Sequence, residues 1–405
     1  MAHLTRAGGA RKRPVVYAAE APSAPLRRAR NAHRHGRFDE AAEAYREALS
    51  AKVDDLDAAV NLVHVYTLTG RVHDALRGFE AAARLAAQSP RALRDLGISC
   101  ATLGFFDAAE RCFTAALALD PGDLGAALGR LRCCLAAGLR AEAEAAIEAL
   151  LRAAPDTAGA WFARYRLSVD AQAPDLDALA RAAACEPDDG WVAALLTAAR
   201  AEGPSPETAQ LLDGRFDDAA RWRARGARCW GTKPALLDAV CARALPGPWV
   251  ELGVRYGVST RQLAARAGER SLWALDSFEG LPEAWQAMPA GAFSMHGEVP
   301  PLPASVRVLK GWFDDTLGPL TAALEAPVSL LHIDSDLYQS AASGLAALGP
   351  WLTRGSLIVF DEYYGNPSWR DDEHRAFAEA QARFGWRAAC VELSWLTGQA
   401  AFQLR

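Results

Sequence analysis

Four glycines stand 34 residues apart: Gly36, Gly70, Gly104 and Gly138. With 32 glycines in 405 residues, the odds of three more falling in register by chance are about one in two thousand. Other columns keep the same step. Ala41, Ala75, Ala109 and Ala143 form one, and Tyr45, Phe79, Phe113 and Ile147 a second. Ala48, Ala82, Ala116 and Leu150 make a third, and Pro121 and Pro155 close the last two units. A unit of this length cannot bury its apolar face alone, so the units must stack. The physical reading is a helix hairpin. Glycine stops one helix and turns the chain without steric penalty. The alanine five residues on admits the next helix closely, and the aromatic four beyond it fills the gap between hairpins. Asp107 with Glu110 reads as a capping box opening a second helix.

This column set, with Leu96-Gly97 in the third unit, resembles the tetratricopeptide repeat. Four repeats are expected over residues 22–155. A fifth, degraded unit extends the array to about residue 200, where Trp161, Pro187 and Trp191 continue the helical texture without the glycine. Such an array presents a concave surface that holds a peptide or another protein, or it shapes or dimerises its neighbouring domain. A protein partner and a homo-oligomer both stay open. His33, His35, His64 and His73 fall on these helices and read as surface or packing histidines.

Residues 1–21 are expected to be a flexible basic tail, with Arg6, Arg11, Lys12 and Arg13 beside Gly8, Gly9 and Pro14. Over the whole chain 44 basic residues stand against 49 acidic ones, a net charge of −5. That balance removes the general case for binding nucleic acid or an anionic membrane. No apolar run approaches the ~18–20 residues of a membrane span, and the first 30 residues lack the apolar stretch of a signal peptide. The eight cysteines include no C-x-x-C pair and read as buried thiols of a cytoplasmic protein. Residues 201–228 are expected to be a linker and helix. Gly203-Pro204-Ser205-Pro206 punctuates the chain there, and an amphipathic stretch from Arg215 to Arg228 follows.

From residue 229 to 405 the texture changes to short apolar runs ending in acidic or glycine residues. Strands are expected at Trp249–Val254, Leu272–Leu275, Val306–Leu309, Val328–Ile333 and Leu357–Phe360. Helices are expected at Val258–Ala267 and from about Ser340 to Leu352. The alternation implies a mostly parallel sheet covered on both faces. The fold class is therefore α + α/β: an all-α solenoid, then a Rossmann-like doubly wound sheet. Ligands of such sheets bind outside the carboxyl ends of the strands.

The polar motifs fall at those ends. Gly253 and Gly257 follow the first strand and let a backbone turn tightly against a ligand. Asp276 ends the next strand, where a carboxylate meets a ribose diol, although an N-cap or surface role is the bland alternative. The third glycine of G-x-G-x-x-G is missing. That counts against a nicotinamide dinucleotide and suits an adenosine with an amino-acid tail.

The stretches ELGVRYGVS (Glu251–Ser259), LDSFEGLP (Leu275–Pro282), LKGWFDDTL (Leu309–Leu317), HIDSDLYQS (His332–Ser340) and FDEYY (Phe360–Tyr364) resemble the class I S-adenosylmethionine-dependent methyltransferases. Among these they are most similar to the macrocin O-methyltransferase family, which methylates sugar hydroxyls on natural products. This chain departs from the family at Arg255-Tyr256 and at Asp361-Glu362. The resemblance implies S-adenosylmethionine as cofactor, held at Glu251, Gly253, Gly257, Ser259, Asp276, Ser277 and Gly311. It implies a divalent metal, Mg²⁺ by donor type, on Asp334, Asp361 and Glu362, with Asp334 also removing a proton. Direct hydrogen bonding of the acceptor by Asp361 is the competing account.

His332 shares a strand face with Asp334 by the period of two and is the second candidate base, with a core histidine as its alternative. His296, on an expected loop, is a weaker one. Tyr338, Tyr363, Tyr364 and Trp369 lie near the motif ends. Tyr338 and Tyr363 are the candidates for contact with a sugar, and packing is equally open for each. Leu281–Pro303 is long enough to be a lid, and Asp314-Asp315 reads as a helix N-terminus. The expected function is O-methylation of a saccharide or glycosylated acceptor, with the array recruiting acceptor or partner. The alternative is a repeat scaffold whose methyltransferase-like half has lost turnover.

Overall fold

The computed structural model describes residues 13–17, 21–188, 190–200, 221–223 and 225–405. Gly203–Pro206, half of the stretch from Arg215 to Arg228, and the basic residues Arg6, Arg11 and Lys12 lie outside the described residues. The chain forms two compact units, Met1–Ala153 with Phe293–Pro300, and Ala154–Ala292 with Pro301–Arg405.

The first unit is built from four helix hairpins. Their helices are α1 (Ala24–Arg34), α2 (Phe38–Ala51), α3 (Leu56–Leu68), α4 (Val72–Leu85), α5 (Pro90–Thr102), α6 (Phe106–Leu119), α7 (Leu124–Ala136) and α8 (Arg140–Ala153). All four register glycines are left-handed, with φ of +74°, +71°, +74° and +72°. Behind each, the next residue's N–H closes on the carbonyl five positions back. Arg37 donates to Ala32, Arg71 to Tyr66, Phe105 to Cys100 and Leu139 to Cys134, at 2.8–3.0 Å. Only glycine adopts this turn cheaply, which is why the register is visible in the sequence. The Ala41 column and Tyr45, Phe79, Phe113 and Ile147 are all buried. Leu96-Gly97 acquires a reason here. A Cβ at Gly97 or Gly129 would come within 2.8 or 2.6 Å of the Phe113 ring.

Two expectations need correction. Asp107 does not cap α6: its N-cap is Phe105, with no side-chain cap, and Asp107 lies in the first turn. The Gly104 turn delivers the chain directly into the helix and leaves no position for an Asp cap. The tail is also not free throughout, because Val15 and Tyr17 are hydrogen-bonded to α3. The segment 293–300 belongs to this unit as well. Met295 is fully buried, the His296 Nε2–H donates to the Thr69 carbonyl at 2.8 Å, and His73 Nε2–H donates to the Val299 carbonyl at 2.8 Å.

The second unit opens with α9 (Ala158–Asp170), α10 (Leu176–Cys185) and α11 (Gly190–Ala199). Gln172, 34 residues after Gly138, takes the turn position at φ +58°, and its Nε2 donates to the Cys229 carbonyl at 2.8 Å. The hairpin rhythm therefore persists past residue 155. The apolar residues of these helices, Phe162, Tyr165, Leu179 and Leu195, join the core of the sheet beside Leu393 and Phe402. Helices read in sequence as the end of the array are thus packed with the sheet.

Eight strands follow: β1 (Arg228–Cys229), β2 (Trp249–Leu252), β3 (Leu272–Asp276), β4 (Val306–Lys310), β5 (Val328–Ile333), β6 (Leu352–Phe360), β7 (Ala388–Ser394) and β8 (Gln399–Leu404). Their order is β1-β7-β8-β6-β5-β2-β3-β4. All neighbours are parallel except β8, which runs against β6 and β7. Among the described residues, helices α12 (Lys233–Arg243), α13 (Val258–Ala267), α14 (Phe313–Ala323), α15 (Tyr338–Leu348) and α16 (Glu373–Phe384) accompany the strands. Alternate strand residues feed opposite cores. Trp249, Leu330 and Val359 join Leu236, Val240 and Leu263 on one face, while Val250, Leu331 and Ile358 join Leu345 and Phe377 on the other. A sheet buried on both faces needs continuous apolar strands, and β5 is buried at every residue. From β2 the chain steps outward to β3 and β4, then returns so that β5 lies on the other side of β2. The order reverses there. No helix among the described residues is long and apolar enough to cross a membrane.

Candidate active site

The glycine turn and the acidic residue predicted to accompany it meet at this reversal. The Asp276 carboxylate accepts the N–H groups of Val254 and Arg255 through Oδ2, at 2.7 and 2.8 Å. Its Oδ1 accepts the Phe278 N–H at 2.7 Å. Gly253 donates to the Leu275 carbonyl at 2.9 Å, and Gly311 N–H to the Asp276 carbonyl at 3.0 Å. Gly311 is thus bonded to Asp276 directly, and the Gly253 turn is tied to the same strand end through Leu275 and through Val254 and Arg255. A carboxylate has about four acceptor positions, so three backbone donors leave room for one further hydroxyl. Gly253, at φ +88°, lies so close to β5 that a Cβ would overlap the Asp334 carbonyl oxygen. Arg255, Phe278 and Asp336 are non-glycine residues at positive φ, and such strain concentrates at functional sites. Gly257, at φ +70°, forms the N-cap of α13, and Ser259 lies in its first turn. Ser277 is buried, its Oγ accepting the Glu279 N–H at 3.1 Å.

Glu251 plays a different part from its neighbours. Its Oε1 meets His332 Nδ1 at 3.0 Å, and both side chains are fully buried. Burial pulls the imidazole down, but the Glu251 hydrogen bond and the charges of Glu251, Asp334 and Asp361 outweigh it and push His332 up. Glu251 Oε2 and His332 Nε2 are both buried without a hydrogen-bond partner.

Beyond His332 lies a group of carboxylates. Asp361 is held by Lys233 on Oδ2 and by Gln399 on Oδ1. Burial opposes its charge, yet Lys233 and His332 prevail and draw its pKa down. Burial and Asp361 push Asp334 well above the usual carboxylate range. Burial, Glu362 and Asp361 push Asp336 up to about 7. Glu362 is raised by burial and Asp361, and Glu373 well above its usual value by burial, Asp334 and Asp361. Glu373 Oε2 accepts the Glu362 N–H at 3.3 Å, and its Oε1 is buried without a partner. Among the described residues, no set of three or more acidic, histidine or cysteine side chains is arranged to hold a metal ion.

Lys233, Asp336, Glu373 and Gln399 escaped the sequence reading. The D-x-D spacing of Asp334 and Asp336 was a usable signal. The other three arrive from α12, α16 and β8, which no local pattern connects. Tyr338 donates its hydroxyl to Glu379 Oε2 at 2.6 Å, with the Arg375 guanidinium 4.3 Å from its ring centre. Tyr363 is buried against Phe360, Phe402 and His374 at 4.8–5.2 Å, so its ring is committed to packing. Tyr364 and Trp369 are likewise buried. His296 belongs to the helical unit, where it is held at Thr69. Asp314 and Asp315 occupy the first turn of α14, as expected. A cleft of about 610 Å³ lined by Pro246, Arg270, Trp273 and Arg307 opens at the amino ends of the strands, away from the motifs.

Strand order, reversal point and the acid-bound glycine turn define a doubly wound α/β domain. Residues 250–363 match the family described as a methyltransferase domain, and residues 103–163 match the tetratricopeptide repeat. The chain carries a methyltransferase domain joined to tetratricopeptide repeats. It is 32% identical over 151 residues to 8-demethyl-8-(2,3-dimethoxy-alpha-L-rhamnosyl)-tetracenomycin-C 4'-O-methyltransferase of Streptomyces olivaceus, covering 31% of this chain and 57% of that protein. It is 31% identical over 166 residues to demethyldecarbamoylnovobiocin O-methyltransferase of Streptomyces niveus, covering 35% of this chain and 62% of that protein. The chain therefore spans less than two thirds of the length of either relative. The calicheamicin methyltransferase CalS11 is 20% identical with a TM-score of 0.35, over 54% of this chain and 92% of that one.

Proposed function

We propose that the C-terminal domain binds S-adenosylmethionine and methylates a hydroxyl of a saccharide or glycosylated acceptor in the cytoplasm. The observation that carries this reading is the Asp276 carboxylate gripping the Val254–Arg255 turn at the point where strand order reverses. Both relatives are named as O-methyltransferases, which supports the same chemistry. Gly253, Gly257, Ser259, Asp276, Ser277 and Gly311 would hold the cofactor, and Glu251 would act indirectly by fixing His332. Bound there, S-adenosylmethionine supplies an electrophilic methyl group.

The acceptor hydroxyl must lose a proton, and Asp334 is the residue to take it. A carboxylate held well above its usual range is a better base than an exposed one. His332 is the second candidate, since its Nε2 is unpartnered while Glu251 fixes its Nδ1. Tyr338, partly exposed beside these strand ends, would contact the sugar.

A divalent cation, Mg²⁺ by donor type, fits the donor chemistry. The donors are hard carboxylate oxygens, a cation would relieve the mutual repulsion that helps push these carboxyls upward, and Glu373 Oε1 is buried without a partner. Asp334, Asp361 and Glu362 would hold it. In that position a cation lowers the pKa of a bound hydroxyl. The array would bring in the acceptor or a partner protein. Calorimetry with S-adenosylhomocysteine tests the core of the reading. Wild type is expected to bind, and Asp276→Ala to bind at least ten-fold more weakly. No binding by wild type, or equal binding by both, would overturn it.

A further inference from the structure

Residues 14–17 lie along the first helices of the second and third repeats as an extended peptide. Asn61 on α3 reads the backbone of Val15 in both directions: its Oδ1 accepts the Val15 N–H at 2.9 Å, and its Nδ2 donates to the Val15 carbonyl at 2.8 Å. Asp57, one turn earlier on the same face, accepts the Tyr17 N–H at 2.6 Å. On α5 the Asp95 carboxylate accepts the Tyr17 hydroxyl at 2.8 Å, and the Arg91 guanidinium lies 5.8 Å from the Tyr17 ring centre. Val15 is buried while Val16 points outward, 48% exposed. This alternation is that of an extended strand.

The four contacting residues form two repeat columns. Arg91 is the 34-residue equivalent of Asp57, and Asp95 that of Asn61. Asp57, Asn61 and Asp95 are all buried, and polar side chains that deep are costly unless they have partners. Asp57 is also fixed by Arg30, at 2.8 Å. An aligned row of buried amide and carboxylate groups is of little use to a stack of hairpins alone, because it supplies no apolar contact. It does match an extended backbone with one aromatic hydroxyl.

We propose that this row is a peptide-binding site and that the chain's own Val15–Tyr17 is its resident occupant. The occupant is a cis-acting plug that an external peptide of the same character, an extended segment ending in tyrosine, must displace. The two contacts at position 15 read only backbone, so the tyrosine supplies the selectivity. Asp95 accepts from the neutral phenol, and burial with Asp95 keeps that phenol protonated well above its usual range. The inference concerns the helical unit alone and stands whether or not the other domain transfers methyl groups.

The test uses the full chain and a fluorescent peptide of residues 11–20, read by anisotropy. A Val15→Pro/Tyr17→Ala chain lacks one donor and the ring of its own plug. It is expected to bind the peptide at least ten-fold more tightly than wild type. Adding Asn61→Ala is expected to reverse that gain, and a Tyr17→Phe peptide to bind several-fold more weakly. Absence of saturable binding to the double variant, or one Kd for both chains, overturns the proposal. A second measurement needs no variant. Hydrogen exchange in wild type is expected to show the Val15 and Tyr17 amides protected, and exchange at the rate of a free peptide overturns it equally.

Discussion

Lys233, the first residue of α12, neutralises Asp361 at the end of β6, although 128 residues separate them. Asp361 is thereby held ionised while Asp334, Asp336, Glu362 and Glu373 around it are all pushed upward. Burial and mutual repulsion raise those four, while the ammonium keeps Asp361 charged. Lys233→Met is therefore expected to destabilise the protein by about 3 kcal/mol, because it strands a buried carboxylate. In a domain of this size that is a fall of about 6–12 °C in Tm. Lys233→Met/Asp361→Asn is expected to lose less than Lys233→Met alone, since no uncompensated charge remains. Strictly additive losses in calorimetry would show that the two groups are not coupled.

Two left-handed glycines separate conformational strain from collision. Gly385, the left-handed C-cap of α16 at φ +65°, has open space within 4 Å of the point where a Cβ would stand, whereas a Cβ on Gly253 would overlap the Asp334 carbonyl. Gly385→Ala is expected to cost about 1 kcal/mol, the penalty of a left-handed alanine. Gly253→Ala must also push β2 from β5 and is expected to cost about 3 kcal/mol or more. It should also lose S-adenosylhomocysteine binding in calorimetry, while Gly385→Ala keeps it. Equal costs would mean that the Gly253–Asp334 approach is looser than the structure has it.

The proposed metal is separable from the proposed methyl donor. With the carboxylates already partly offset by Lys233, chelation is expected to leave the fold intact, changing Tm by less than about 2 °C. On the proposed reading it is expected to reduce methyl transfer to a glycosylated acceptor at least ten-fold, restored by Mg²⁺. Full activity after exhaustive EDTA treatment would assign the proton transfer to Asp334 or His332 without a cation.

What the sequence displayed and what it hid divide along a physical line. The hairpins were legible because a left-handed turn admits little but glycine, and because Phe113 demands empty space at Gly97 and Gly129. The strand ends were legible because β2, β3 and β5 are largely apolar runs closed by Gly253, Asp276 and Asp334. Gln172 hid the fifth turn by taking on the left-handed strain itself, with its amide anchored on Cys229. Lys233, Glu373 and Gln399 were hidden because each looks like an ordinary surface residue until the sheet closes. The antiparallel pair β7–β8 lies beyond the last motif, and it supplies Gln399 to the site. Local chemistry marks backbone requirements, whereas charge balance is settled only by tertiary contact.

The array should carry its own acid sensitivity, located at His33. That ring is fully buried, with Nδ1 3.2 Å from the Tyr45 hydroxyl and the His64 ring 5.5 Å away. Burial, with a smaller contribution from His64, lowers its pKa to about 4. An unfolded histidine titrates near 6.5, so between these values the unfolded chain binds the extra proton. The stabilisation is complete above about pH 6.5 and is lost as pH falls towards 4, to a maximum of about 3 kcal/mol. His33→Gln keeps a hydrogen-bonding group without the proton site. Its melting curve, followed by far-ultraviolet circular dichroism, is expected to fall less steeply than wild type over that interval and to run parallel to it above pH 7. Parallel curves throughout would place His33 in contact with water.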